Sequence, residues 1–292
     1  MAISLNEVQP PSYETTYASE IRLLYALFED AQRSRVAHGE RLRAILQGRS
    51  SGSLAESDRD PDALLKAIRR GESAGAHRIL ERAYARAFDD EESAGAALRS
   101  AIEDHPAWPW LDGVKGIGHL LAARLLSRLD ITRAGTPSAF WAYCGLATIP
   151  GVAYRCARCG LEVAYPVGYR PTGVHNVMSG TRECLGELQP VDDDASTRVA
   201  PRRAALGGRA GYDAHARNSC YLIGVSMLRC GGDYRSFYDA ERMKLSSRRG
   251  WTLKRCHLAA LRKMEKVFLR DLWLAWRRAA NLPVVAAYFP RI

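Results

Sequence analysis

The stretch YRCARCGLEVAYPVGYRPTGVHNVMSGTREC, residues 154–184, opens with Cys156 and Cys159 two residues apart and Gly160 directly behind them. A glycine at that place lets the chain reverse so that both sulfurs face one ion. One such knuckle supplies two ligands, and tetrahedral zinc needs four. His175 and Cys184 are the nearest downstream donors, so Cys156, Cys159, His175 and Cys184 form the candidate ligand set of a structural zinc site. Plain reduced thiols are the alternative reading of the same pair. A redox couple fits less well, because thioredoxin-type motifs sit where a strand runs into a helix and nothing helical follows Cys159. Zinc bound here would supply folding energy to a segment of about 30 residues with little core of its own.

A second constellation precedes it. In DGVKGIGHLLAARLL, residues 112–126, two glycines one residue apart open an apolar run, and Leu111, Val114, Gly116, Ile117, Gly118 and Ala122 fill the pattern of a helix-hairpin-helix. Glycines in such a turn admit positive φ and leave no Cβ between the second helix's N-terminal N–H groups and a phosphate oxygen. Lys115, His119 and Arg124 stand beside Gly116, Ile117 and Gly118 to add charged or polar contacts to the same backbone. A helix packing joint is the other use of these small residues. A dinucleotide or P-loop turn is not supported: no strand run precedes it, and neither a third glycine nor Gly-Lys-Ser/Thr follows.

Residues for catalysis are sparse. The acidic runs FDDEE (88–92) and VDDD (191–194) are contiguous, as solvated loops or helix starts are, whereas a two-metal site gathers carboxylates from separate elements. Ser179, before Gly180, is the candidate nucleophile. Tyr234 and Tyr238 read as aromatics packing a helix start. His257 lies on the apolar side of its helix, the place of a satisfied core histidine.

These groups need a scaffold. The chain is 47 % hydrophobic and 25 % charged, which suits a globular protein with a real core. No N-terminal export signal and no run of about 18 apolar residues occurs, so a cytoplasmic protein is expected, and the odd cysteine count agrees with reduced thiols. The net charge of +10 is uneven: residues 201–292 hold 19 Lys/Arg against 6 Asp/Glu. Such a field favours a polyanion, since each neutralised phosphate releases counterions. A solvated basic face is the alternative.

Periodicity predicts one long helix over 17–47, where Ile21, Leu24, Phe28, Ala31, Leu42 and Ile45 keep a 3-4 spacing with Arg35 and His38 in the seam. This is either a coiled-coil arm for a homodimer or an amphipathic helix packed on its own domain. Residues 48–60 read as a linker. Asp60 and Pro61 start a helix reaching Gly71, and two more are expected at about 74–88 and 91–104. Thr136 and Pro137 start another that Gly145 ends. From 147 to 211 short strands and turns are expected, and helical periodicity returns over 212–229 and 252–280.

Residues 109–146, PWLDGVKGIGHLLAARLLSRLDITRAGTPSAFWAYCGL, resemble the helix-hairpin-helix transposase domain of insertion-sequence transposases that pair a RuvC-like domain with a coiled coil and use a bridge RNA. The hairpin, Phe140 on the following helix and the Tyr-x-Gly-Leu ending carry the likeness, and YDAHARNSCYLIG and HLAALRKMEKVFLRDLW are similar in character to the helices that finish that domain. The resemblance implies binding of DNA or structured RNA. It also implies a serine nucleophile soon after the Gly-Leu-x-Pro segment, where this chain has Gly151, with Ser179 displaced beyond the cysteine insertion. The acidic RuvC-like half has no counterpart here, so any strand cleavage would need a separate RuvC-like partner.

The resulting expectation is a mainly α protein. It comprises a helical arm (1–47), the linker (48–60), a helical region (61–104), a helix-hairpin-helix (105–150), a small zinc-ribbon-like β insertion (151–211) and a basic helical region (212–292). Its expected function is gripping a nucleic-acid backbone, with Lys254, Arg255, Arg262, Lys263, Lys266 and Arg270 extending the footprint. The alternative is a transposase or recombinase supplying a serine half-site. No membrane partner is expected.

Overall fold

A computed structural model describes residues 13–47, 60–72, 77–169, 177–179, 182–184, 186–191, 197–202, 211–248 and 251–285, with backbone alone at 13–18, 177–179 and 182–183. The described chain is mainly helical with a small antiparallel sheet. It divides into two compact units, Met1–Trp108 with Ala122–Arg128, and Pro109–Leu121 with Leu129–Ile292. Among the described residues no helix is long and apolar enough to cross a membrane.

In the first unit the long helix α1 (Tyr13–Leu46) packs along α3 (Arg78–Glu103), and α2 (Pro61–Arg69) closes one end. The α1 seam is spent inside the chain: Ile21, Phe28 and Leu42 are buried, and Arg35 reaches across to an ion pair with Glu91. Leu42, Leu64, Leu65, Ile68 and Tyr84 form one core cluster. Gly39 lets the Tyr84 ring approach closely, because a Cβ there would stand 3.3 Å from it. Asp60 caps α2 as expected, accepting from the Asp62 amide at 3.0 Å.

The two helices expected over 74–104 are one. FDDEE lies in mid-helix with Asp89, Asp90 and Glu92 exposed, while Glu91 meets Arg35, so the run is a solvated face plus one interhelical pair. Gly95 does not break α3, since it sits beside the ring of Phe28.

The second unit is built on α9 (Leu253–Ala279). Met264, Phe268, Leu272, Trp273 and Trp276 are buried along it, whereas Leu253, at its start, is exposed. Helix α6 (Pro137–Tyr143) packs on α9, and the Trp141 indole N–H donates to the Lys266 carbonyl at 2.8 Å. Thr136 occupies the cap position of α6 without making a side-chain capping bond. Helix α7 (Ala214–Cys230) and helix α8 (Asp233–Ser246) complete the helical layer. Periodicity does not pick out α8, because only Tyr238 and Leu245 of its residues are buried.

The described part of the insertion is strand-built, as its composition predicts. Strand β1 (Ile149–Cys156) pairs antiparallel with β2 (Glu162–Pro166) in the register Arg155 to Glu162. Two further strands, β5 (Leu188–Pro190) and β6 (Arg198–Val199), also pair with β1, and β3 (Val177–Ser179) and β4 (Arg182–Cys184) make a separate ribbon.

The glycine turn at 113–118 joins α4 (Trp108–Asp112) to α5 (His119–Leu126), and its two glycines differ. Gly116 has φ of 94°, its carbonyl accepts from Ser226 Oγ at 2.6 Å, and a Cβ would lie 3.1 Å from the α7 backbone at Ser226 and Met227. A Cβ at Gly118 would meet nothing within 4 Å. We expect Gly116→Ala to cost about 1–2 kcal/mol, from the left-handed backbone plus the squeezed contact, and Gly118→Ala to stay within about 0.5 kcal/mol. Urea denaturation of the two variants checks this, and equal losses would contradict it.

Candidate metal centre and cationic cavity

Cys156 ends β1, and the hairpin into β2 carries Cys159 and then Gly160, whose φ of 68° makes the reversal. The amides of Arg158 and Cys159 donate to Cys156 Sγ at 3.3 and 3.4 Å. From the other ribbon Cys184 brings its Sγ to 3.8 Å from that of Cys156, and the three sulfurs all lie within 4.8 Å of one another. Gly186 guards this spacing, since a Cβ there would stand 2.4 Å from Cys156 Sγ. Cys156 and Cys184 are buried against Leu188, with Tyr154, Val163 and Tyr165 around them, while Cys159 faces solvent.

Three thiols so placed can hold a metal ion. The Leu161 amide favours the Cys159 thiolate, yet desolvation and hydrogen bonding with Cys156 and Cys184 outweigh it and raise the thiol above its ordinary range. Three clustered thiolates need a cation to be stable together. His175, the expected fourth ligand, lies outside the described residues, as do Asp192, Asp193 and Asp194 of VDDD.

The other feature is a cavity of about 1150 Å³ in the second unit, walled by α7, α9, β2, β6 and the turn before α9. Seven cations line it: Arg198, Arg202, Arg248, Lys254 and Arg255 at an exposed rim, with Arg217 and Arg262 half-buried below. Their recorded partners are neutral. Arg217 donates to the Pro201 carbonyl at 3.0 Å, Arg262 to that of Leu146 at 3.4 Å and Arg198 to that of Thr148 at 2.7 Å. Arg202 lies over the rings of Tyr165 and Tyr169, and Arg248 and Arg255 over Trp251. Among the described residues none of the seven has a carboxylate within ion-pair distance.

Glu265 is the one acid lining this cavity among the described residues, and it is buried. Burial pushes its carboxyl up to about 8 although Arg262 and Arg217 pull the other way. Burial likewise lowers Arg262, helped by the like charge of Arg217.

Of the expected basic contacts, Lys254, Arg255 and Arg262 face this cavity and three do not. Lys263 pairs with Glu241 at 2.6 Å, and Lys266 lies half-buried over the Trp141 ring at 4.5 Å. Arg270 is 1 % exposed and donates to Asp271, so it is a core residue and not part of the footprint. The reason is periodicity: α9 buries nearly its whole circumference in its second half, which a one-sided reading of the helix misses.

Arg198, Arg202, Arg217 and Arg248 join this cavity although no spacing rule links positions so far apart; the last three lie within the basic final third. In the glycine turn Lys115 is exposed, Ile117 buried and His119 half-buried, while Arg124 is half-buried and donates to the Tyr25 hydroxyl at 3.2 Å inside the first unit.

The remaining candidates are structural or unplaced. Tyr238 bonds His257 Nδ1 at 2.6 Å, and Tyr234 donates to Asp271 at 3.0 Å. Ser179 ends β3 opposite Arg182, and its side chain lies outside the described residues. Gly151 stands where the resemblance implies a serine. A Cβ there would lie 2.9 Å from the Tyr165 carbonyl and 2.7 Å from Val199, so the β1 pairing itself demands glycine. Comparison with family models, curated proteins and solved structures returned no match.

Two outcomes follow from this geometry. Purified without chelator, the chain should carry about one metal ion per molecule, and Cys184→Ser or Gly186→Ala should sharply lower that stoichiometry by elemental analysis. For Glu265, both folded and unfolded chains are protonated below about 4.5. Between there and about 8 only the unfolded chain ionises, so stability falls as pH rises. Glu265→Gln should therefore gain about 2–4 kcal/mol over wild type at pH 8 and nothing near pH 4.5, read by denaturant titration at both values.

Proposed function

We propose that this chain is a nucleic-acid-binding protein that neutralises a sugar–phosphate backbone in the cationic cavity, with a zinc-stabilised β insertion forming one wall. The single observation that carries the reading is the set of seven Arg and Lys side chains lining one concavity, none of which has a carboxylate within ion-pair distance among the described residues. Charges held together at such cost are an investment in an anion, and a polymer of phosphates meets several at once. The resemblance of residues 109–146 to the transposase domain described above supports the same class of ligand, DNA or structured RNA. The free space at Gly118, ahead of α5, leaves room for a phosphate there, whereas Gly116 is committed to α7.

The zinc reading ties the two features together. Ala164 and Pro166 of β2 and Arg198 of β6 line the cavity, and both strands pair with the strand that ends at Cys156. Loss of the metal should loosen that wall and weaken binding with it.

Titration of a labelled oligonucleotide at a series of salt concentrations tests the proposal. Affinity should fall steeply with salt, and Arg217→Gln with Arg262→Gln should reduce the log–log slope by about 2 while leaving the fold intact by circular dichroism. Salt-independent binding, or none to any nucleic acid, would overturn the reading.

A further inference from the structure

We propose that the cavity takes an unpaired stretch of nucleic acid, one base stacking on Tyr221 and its neighbouring phosphates reaching Arg217 and Arg262. This rests on the nucleic-acid reading above and specifies the strand it selects. The first reason is size. A sphere of the cavity's volume is about 13 Å across, whereas the major groove of a B-form duplex alone is about 12 Å wide before either backbone is counted. A duplex is wider than that span, so it meets the exposed cations more readily than the half-buried Arg217 and Arg262.

The second reason is the arrangement of α7. Arg217 and Tyr221 are four residues apart and so lie on one face of the helix, a cation and an aromatic at adjacent heights. Tyr221 is 44 % exposed, and among the described residues its ring makes no ring–ring or cation–π contact. Helix α9 lines the same cavity with Leu258, 47 % exposed, between Arg255 and Arg262 on one face of the helix. An exposed tyrosine and an exposed leucine lining one cavity, each with an arginine one turn away on its own helix, offer apolar surface framed by positive charge. A base has the flat apolar faces to cover it, and its flanking phosphates carry the matching charge. A free small anion would use the arginines alone and leave Tyr221 and Leu258 wet.

Fluorescence anisotropy of the full chain with 20-nucleotide probes tests this, using unstructured oligo-dT, unstructured oligo-U and a duplex of equal length. The single strands should bind more tightly than the duplex. Tyr221→Ala should weaken single-strand binding about tenfold or more while leaving duplex binding unchanged, and Tyr221→Phe should restore it to within about twofold. The dT and U arms distinguish DNA from RNA as the source of the strand. Equal single-strand and duplex affinity, or an inert Tyr221→Ala, overturns this inference and leaves the nucleic-acid reading standing. Absence of salt-sensitive binding to any probe overturns both.

Discussion

Helix α9 organises the second unit because one of its tryptophans and one arginine donate to backbone carbonyls of the loop packed against it. Trp273 donates from its indole to the Ala134 carbonyl at 2.7 Å. Arg277 donates to the carbonyls of Ile131 and Ala134 at 3.2 and 3.1 Å while lying over the Trp273 ring. An unpartnered buried carbonyl costs more than a formed bond contributes, so these contacts fix the loop at 129–136 against one turn of α9. With that end clamped, and Trp141 bonded to the Lys266 carbonyl, α9 presents Leu258, Arg262 and Glu265 to the cavity at set heights.

The cavity is an electrostatic compromise. Burial, with the like charge of Arg217 beside it, lowers Arg262, and both arginines lean on neutral carbonyls. Glu265, buried beside them, costs more to ionise than their attraction returns. Gly224 allows this packing, since a Cβ there would lie 2.9 Å from Leu261 and 3.1 Å from a Glu265 carboxylate oxygen. A site that keeps two half-buried cations beside a reluctant acid is less stable than an apolar one would be, and such costs are typical of places where a ligand completes the charge balance.

The β insertion obeys a different constraint. Its described strands are short, and the cluster of Cys156, Cys184 and Leu188 is small, so little apolar burial holds the ribbons together. Three sulfurs meet where the β1 hairpin approaches the β3–β4 ribbon. Gly151 and Gly186 serve that geometry sterically, one against β2 and β6 and the other against a sulfur. The position where the resemblance implies a serine is thus filled for reasons of strand packing.

Local chemistry made several features legible from the sequence by itself. The long first helix, the Asp60 cap, the strand texture after 147 and the Cys-x2-Cys-Gly knuckle all follow from near-neighbour periodicity, hydrogen bonding or turn geometry. So does the excess of positive charge in the last third. Tertiary structure alone decided which charges share a cavity, because Arg198, Arg217, Arg248 and Arg262 come from separate elements brought together by packing. It alone buried Arg270, paired Lys263 and spent the α1 seam on α3, since a helix's polar face becomes interior when neighbours cover it on several sides. It also separated the two glycines of the hairpin turn: both read alike in sequence, but only Gly116 lies against the backbone of another helix.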